Sequence, residues 1–268
     1  MSGIKRYAYY FGSILTLFRG VRRPFRLIPL FLKSKQSQPQ LLELRHSGQK
    51  MWVRGRMDAW SVKESMLDRF YERFGTKVQS DWTVVDVGAA IGEFTVLAAK
   101  EAKQGQVFAI EPNPESIALL KRNLQANDIA NVILIQKGLW RENGQQTLNL
   151  INQEPLQAMT LGLEEADSKQ IGFETQTLED FIKEFQIVQI DLLKSDCEGA
   201  EYDFLLISSP NVLQIIKRIV MEYHDLDENR HHQILKDFLI ANGYQVSLVP
   251  NWVHPDIGYL YAERTSFD

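Results

Sequence analysis

The sequence predicts an α/β fold: a mostly parallel seven-stranded sheet with helices on both faces and an antiparallel hairpin at its C-terminal end. Three observations lead there. From Met51 onward, short apolar runs alternate with amphipathic segments of about 8 to 15 residues, the pattern of strands joined by crossover helices. The last two strand-like runs follow each other with no helix between them, which closes the sheet with a hairpin. The chain has 268 residues, 44% of them hydrophobic and 24% charged, enough apolar material for one large core. Nine Pro, 16 Gly and a single Cys, Cys197, exclude collagen-like, disordered and disulfide-stapled classes. A secreted, disulfide-rich protein is thereby disfavoured, and a cytoplasmic one is expected.

Residues 1–50 read as a basic arm and linker, and residues 51–268 as the folded domain. Residues 1–56 hold 12 Lys/Arg against one acid, Glu43, while the remaining 212 hold 18 against 33, so the arm is about +11 and the body about −15. An acidic body argues against gripping a nucleic-acid backbone, because that requires a basic face. The longest charge-free run of the arm, Tyr7 to Phe18, has 12 residues, whereas a membrane span needs about 20. It leads into Arg19, Arg22 and Arg23 with no small-residue cleavage site, which does not suit a signal peptide. Two readings of the arm remain: a peripheral anchor on the inner face of an anionic membrane, or a helical cap on the body with its arginines in solvent. Ser34 to Gln40, polar and containing Pro39, reads as the hinge that follows.

The elements then come in order. Trp60 to Phe74 has Val62, Met66, Leu67, Phe70, Tyr71 and Phe74 at helical spacing and stops at Gly75. Thr83–Val87 reads as a strand, Gly92–Lys103 as a helix, Gln106–Ile110 as a strand, and Pro114–Asn127 as a helix with Pro at its start. Val132–Gln136 is the third strand. Thr147–Ile151 and Phe173–Thr177 are shorter strands flanking a polar excursion, and Leu178–Phe185 is a helix. Leu192–Asp196 (strand), Ala200–Ile207 (helix), Ile219–Tyr223 (strand), Glu228–Asn242 (helix), Gln245–Val249 and Gly258–Ala262 (strands) complete the domain.

Sheets of this kind bind ligands at the carboxyl ends of their strands. The first strand ends in Asp86-Val87-Gly88-Ala89-Ala90-Ile91-Gly92-Glu93-Phe94, with glycines placed for a tight turn before a helix. Ala90 stands where a dinucleotide fingerprint would have its second glycine, and Asp86 would repel a pyrophosphate but attract an ammonium group. The second strand ends at Glu111, followed by Pro112 and Asn113, a place for a carboxylate to accept both hydroxyls of a ribose. An adenosine carrying an amino-acid tail satisfies both ends, which describes S-adenosyl-L-methionine. The fourth strand delivers Asp196 and Glu198, with Gly199 for a sharp exit and Glu201 opening the next helix. The fifth ends in Glu222 and His224 on one face, and His is the natural proton acceptor near neutral pH. Cys197, flanked by acids, is unsuited to be a nucleophile, and no Cys/His set has zinc spacing.

These motifs resemble the FkbM family of class I S-adenosyl-L-methionine-dependent methyltransferases. The resemblance rests on Val85 to Phe94, on Glu111-Pro112-Asn113-Pro114, and above all on Lys194-Ser195-Asp196-Cys197-Glu198-Gly199-Ala200-Glu201, and spans roughly Met51 to Ala262. It implies a Rossmann-like methyltransferase fold and O-methyl transfer to a hydroxyl of a sugar, glycan or secondary metabolite. The cofactor residues expected are Asp86, Gly88, Ala89, Ala90, Gly92, Phe94, Glu111, Pro112, Asn113 and Asp196, with Gly138 and Leu139 at the adenine. His224, Asp196, Glu222 and Glu198 are expected at the reacting oxygen. Asp58, Glu64, Glu198 and Glu201 are expected to face the acceptor, and no resident metal is expected. A non-catalytic nucleotide-binding or membrane-tethered scaffold and a nicotinamide-dependent oxidoreductase are the alternatives.

Overall fold

The structure, a computed structural model, describes residues 3–32, 38–73, 77–150, 158–159, 169–251 and 253–265. Seven strands form the central sheet: β3 (Thr83–Val87), β4 (Gln106–Ile110), β5 (Val132–Ile135), β10 (Leu192–Ser195), β11 (Arg218–His224), β12 (Tyr244–Pro250) and β13 (Ile257–Arg264). Their spatial order is β12-β13-β11-β10-β3-β4-β5. The five from β11 to β5 are parallel, while β13 runs antiparallel to both β11 and β12. The expected parallel sheet with a terminal antiparallel hairpin is what the chain forms. Strand order reverses between β3 and β10, so their carboxyl ends diverge and leave a crevice there.

The strands are apolar on both faces because both are covered. Val85, Val87, Leu193, Ile219 and Met221 bury against Phe181, Leu205, Leu213 and Leu235, from α6 (Leu178–Glu184), α7 (Glu201–Leu205), α8 (Pro210–Gln214) and α9 (His232–Ala241). Their alternating neighbours Val84, Leu192 and Val220 bury against Phe94 and Leu97 of α4 (Glu93–Glu101) on the other face. Helix α5 (Pro114–Ala126) starts with Pro at its first position and the Asn113 side chain accepting from Glu115 N.

Two local expectations are corrected. The helix over Trp60–Phe74 is instead α3 (Arg56–Val62), a π-type turn over Lys63–Leu67, and a 3-10 turn over Phe70–Glu72 after Arg69 adopts φ +51°. Buried Lys63 closes that turn on Asp68 at 2.7 Å, and Arg69 is held by Glu72 and Glu101, contacts that outweigh a continuous helix. Gly75 lies outside the described residues. The helix over Glu228–Asn242 begins only at His232, because Asp227 accepts from Asn229 N and Arg230 N and holds the preceding residues in a turn. The shorter strands expected near residues 147 and 173 are present and lie outside the central sheet. They form a second one, of β6 (Gly138–Leu139), β7 (Gly144–Leu150), β8 (Ala158–Met159) and β9 (Lys169–Gln176). Most of the polar excursion between them lies outside the described residues.

The arm packs on the body. Helix α1 (Gly3–Gly20) is followed by a 3-10 turn (Pro24–Leu27) and α2 (Ile28–Leu32), and Leu17, Val21, Leu27 and Leu30 bury with Met51, Val62 and Leu120. The strands β1 (Gln40–Glu43) and β2 (Lys50–Val53) pair as an antiparallel hairpin, so ladder hydrogen bonds join the arm to the domain. No helix among the described residues is long and apolar enough to cross a membrane.

Candidate active site

The turn after β3 is held by its neighbours on both sides. Gly88 N and Ala89 N both donate to Ile110 O at 3.0 Å, tying the turn to the end of β4. Gly88 sits at φ +71°, and a Cβ there would lie 1.9 Å from the backbone oxygen of Asp196. Its glycine is required by the close approach of the loop after β10, a stricter demand than that of a ligand. Ala90, at φ +48°, donates its N–H to Glu111 Oε2 at 2.9 Å, and Asn113 N donates to Glu111 Oε1 at 2.8 Å. Both oxygens of Glu111 are thus aimed by the backbone, each with lone-pair capacity left over.

A pocket of about 210 Å³ opens here. Six carboxylates line it, Glu64, Glu93, Glu111, Asp196, Glu198 and Glu222, together with Gly88, Ala90, Pro112 and the rings of Trp60 and Tyr71, and no Lys or Arg among the described residues does. One oxygen of buried Glu93, Oε2, has no hydrogen-bond partner, while Ser61 donates to the other. Such a wall suits a cation.

Several expected site residues take other places. Asp86 is fully buried and ion-paired with Lys194 Nζ at 3.0 Å, and Thr95 Oγ1 donates to it at 2.6 Å. Its charge is answered from the adjacent strand, where Lys194 is its direct register partner, so it does not wait for a ligand's ammonium group. Phe94 is core, edge-on to Tyr71 at 5.5 Å. Gly92, at φ +87°, packs on Leu120, and the Asn113 side chain caps α5. Gly138 and Leu139 belong to the second sheet, Gly138 against the Phe173 ring, away from the pocket wall. Asp58 receives three hydrogen bonds from Arg54, through its backbone N, Nε and a terminal nitrogen, and does not line the pocket.

The loop Asp196–Gly199 is built around Glu201. Fully buried at the start of α7, Glu201 accepts from Gly199 N at 3.0 Å and from the Cys197 thiol through one oxygen. Its other oxygen meets His224 N and Nδ1, both at 3.2 Å. Glu201 therefore shapes the loop and orients the imidazole rather than facing an acceptor. His224 Nε2 lies 3.4 Å from Glu198 and 3.8 Å from Glu222. Burial by itself would lower the His224 pKa, but the hydrogen bond to Glu201 and the charges of Glu198, Glu201 and Glu222 raise it well above 6.5. With Nδ1 facing Glu201 and Nε2 facing Glu198, the ring sits among counter-charges that favour its protonated form. Asp196, Glu222 and His224 bring one atom each within 4.8 Å of one another, an arrangement able to surround a cation.

Residues the sequence reading passed over complete the site. Tyr71 donates to Asp196 Oδ2 at 2.7 Å, Trp60 Nε1 donates to Glu64 at 2.8 Å, and Tyr9 of the arm donates to the same Glu64 oxygen at 3.3 Å. Glu93 and Lys194 were within the quoted motifs, and an acid or base inside an otherwise apolar strand-and-turn run was the available signal.

Burial raises the carboxyls of Glu64, Glu93 and Glu198 to about 7 each, Lys63, Lys194 and His224 respectively opposing the rise. Glu222 is pushed well above the usual range by burial and by Asp196. A carboxyl raised in this way binds its proton more tightly folded than unfolded, so stability declines as pH climbs from about 4.5 through about 7. His224 adds in the same direction, its contribution being full below 6.5 and lost as pH rises through its higher folded value. The ligand-free chain is expected to melt about 5 °C lower at about pH 8 than at about pH 5.5 by calorimetric scanning. A flat or rising melting temperature over that interval contradicts the carboxyl-rich pocket.

The FkbM methyltransferase domain matches residues 86–246. "Methyltransferase 1" of Beauveria bassiana is 26% identical over 215 residues, covering 73% of this chain and 84% of that protein. The 31-O-demethyl-FK506 methyltransferase FkbM of Streptomyces tacrolimicus is 30% identical over 193 residues, 62% of this chain and 74% of that protein. The crystal structure of methyltransferase FkbM from Methylobacillus flagellatus KT superposes with a TM-score of 0.48 at 16% identity, covering 76% of this chain and 53% of that one. The matched domain takes in more than half of the sequence, from the end of β3 to β12, and the chain belongs to the FkbM family of methyltransferases.

Proposed function

We propose that the chain is an S-adenosyl-L-methionine-dependent O-methyltransferase acting on a hydroxyl of a sugar, glycan or secondary metabolite. The observation that carries this is the pocket wall of six carboxylates, with no Lys or Arg on it and one oxygen buried and unpartnered among the described residues. When bound, S-adenosyl-L-methionine supplies a methyl group on a positively charged sulfur and also carries an ammonium group, and the wall suits both charges. The same wall would repel a pyrophosphate, which counts against the nicotinamide reading.

Glu111, its carboxylate aimed by Ala90 N and Asn113 N, would hold the ribose hydroxyls, and Glu93 Oε2 would accept from the ammonium group. Pro112, Ala90 and Gly88 would shape the surrounding surface. On the acceptor side, half-buried Glu198 takes the hydroxyl proton, since a carboxyl tuned to about 7 is a base matched to neutral pH. Asp196, fixed by Tyr71, and Glu222 orient that hydroxyl, and His224 balances their charge while Glu201 holds it. Of the two acids ahead of the sheet, Glu64 reaches the pocket and can meet a polyol, whereas Asp58 serves Arg54. Alignment of oxygen, carbon and sulfur contributes most, and proton removal adds a further factor. The name of the Streptomyces tacrolimicus relative refers to an oxygen as the methylated atom of that protein's substrate, which favours oxygen here.

Calorimetry with S-adenosyl-L-methionine tests the cofactor half. Micromolar binding is expected, weakened about hundredfold in Glu111→Ala, which removes two charge-assisted hydrogen bonds. Absence of binding to the folded chain, or binding untouched by the substitution, overturns the assignment.

A further inference from the structure

We propose that the outward face of the N-terminal arm docks on an anionic lipid bilayer as an interfacial surface, an interaction separate from methyl transfer. Helix α1 is two-sided. Ser13 and Leu17, with Val21 directly after the helix, are buried against the body, and Phe18 packs partly on it, while Phe11, Ile14 and Leu15 are 71%, 41% and 39% exposed on a neighbouring stripe. The next two elements repeat the pattern, with Leu27 and Leu30 buried and Phe25, Ile28 and Leu32 77%, 42% and 78% exposed. Apolar side chains of this size, spaced at helical intervals and turned outward on consecutive elements, are not core residues left over. They form a face that the body does not cover.

Charge says what covers it. Arg19, Arg22, Arg23 and Arg26 are exposed among these side chains. Arg22 is paired with Glu43, the arm's single acid, and Arg26 reaches Leu41 O, while Arg19 and Arg23 make no ion pair among the described residues. The occupant must therefore be apolar and negative at the same depth. A bilayer with anionic headgroups offers both, with aromatic and aliphatic side chains entering the acyl boundary and arginines staying at the phosphates. A second copy of the chain fits worse. A two-fold contact through this face would set Arg19 and Arg23 against their own counterparts, and a head-to-tail contact onto the acidic body would not close. The inward side of the same helix touches the pocket wall through Tyr9 and Glu64, which puts the pocket about one helix diameter, roughly 10 Å, from the docking face.

The test is flotation of the full chain with phosphatidylcholine vesicles containing one-third phosphatidylglycerol, beside vesicles of phosphatidylcholine alone. The chain is expected to float with the anionic vesicles and not the neutral ones. Arg19→Glu with Arg23→Glu is expected to weaken partitioning about tenfold or more, and Phe11→Ser with Phe25→Ser by a similar factor. All four side chains are exposed, so melting temperature and cofactor binding should be unchanged and report folding independently. Three results overturn the proposal: a folded chain that stays with the soluble fraction, flotation that survives the Phe substitutions, and a solution dimer that those substitutions dissociate, which would make the occupant a second copy.

Discussion

Glu198→Gln is expected to lower kcat for methyl transfer by about 10² to 10⁴, the usual contribution of a positioned general base. The substitution keeps the shape of the side chain and removes only the site that accepts the proton. In the unsubstituted chain kcat/KM should rise with pH through an inflection near 7, where the Glu198 carboxyl loses its proton, and level off above it. In Glu198→Gln that inflection should vanish. His224→Gln gives the discriminating control. The imidazolium lowers the Glu198 carboxyl, so its removal should move the inflection to higher pH while leaving most of the plateau rate. If instead His224→Gln abolishes the rate and Glu198→Gln spares it, measured with an acceptor from a panel of sugar and polyketide alcohols, the proton goes to the imidazole and the assignment made here is wrong.

The second large effect is on stability. Gly88→Ala should cost about 3 kcal/mol or more in urea unfolding, because two penalties combine. An L-residue at φ +71° is strained, and the new Cβ would sit 1.9 Å from the Asp196 backbone oxygen, which cannot swing aside as a side chain could. Relieving the overlap would separate the carboxyl ends of β3 and β10, the two strands that frame the pocket. Gly92→Ala is the comparison. It has a similar φ of +87°, but the nearest atoms to its Cβ would be those of the Leu120 side chain, which can shift, so its cost should be clearly smaller. Equal losses, or a Gly88→Ala loss under about 1 kcal/mol, would mean that the approach of the two loops is not a constraint on the fold.

Much of the site was written locally. The strands Thr83–Val87 and Gln106–Ile110 fall where their apolar runs begin and end, since strands covered on both faces must be apolar at every position. Glu111 and Asp196 could be placed at the pocket because both directly follow such runs, and the parallel topology brings all strand ends to one edge. By contrast, Trp60–Phe74 carries a helical pattern that the chain interrupts. The period records which side chains are buried, but Lys63 and Arg69 find their ion-pair partners only after folding and reset the backbone there.

The α/β class, the terminal hairpin, the glycine turn and the acids at the ends of β4, β10 and β11 are legible in the order of residues, because burial and backbone conformation act residue by residue. Which carboxylates reach the pocket depends on packing between distant segments. Asp86 is neutralised by Lys194 because β3 and β10 pair in that register. Asp58 is taken by Arg54, and Glu201 by Gly199 N and His224. Glu93 and Glu198 line the pocket, Glu198 beside His224 at 3.4 Å, with burial raising both carboxyls to about 7. A carboxylate's role depends on its counter-charge and its desolvation, and both are set by residues far away along the chain, 108 positions in the case of Asp86 and Lys194.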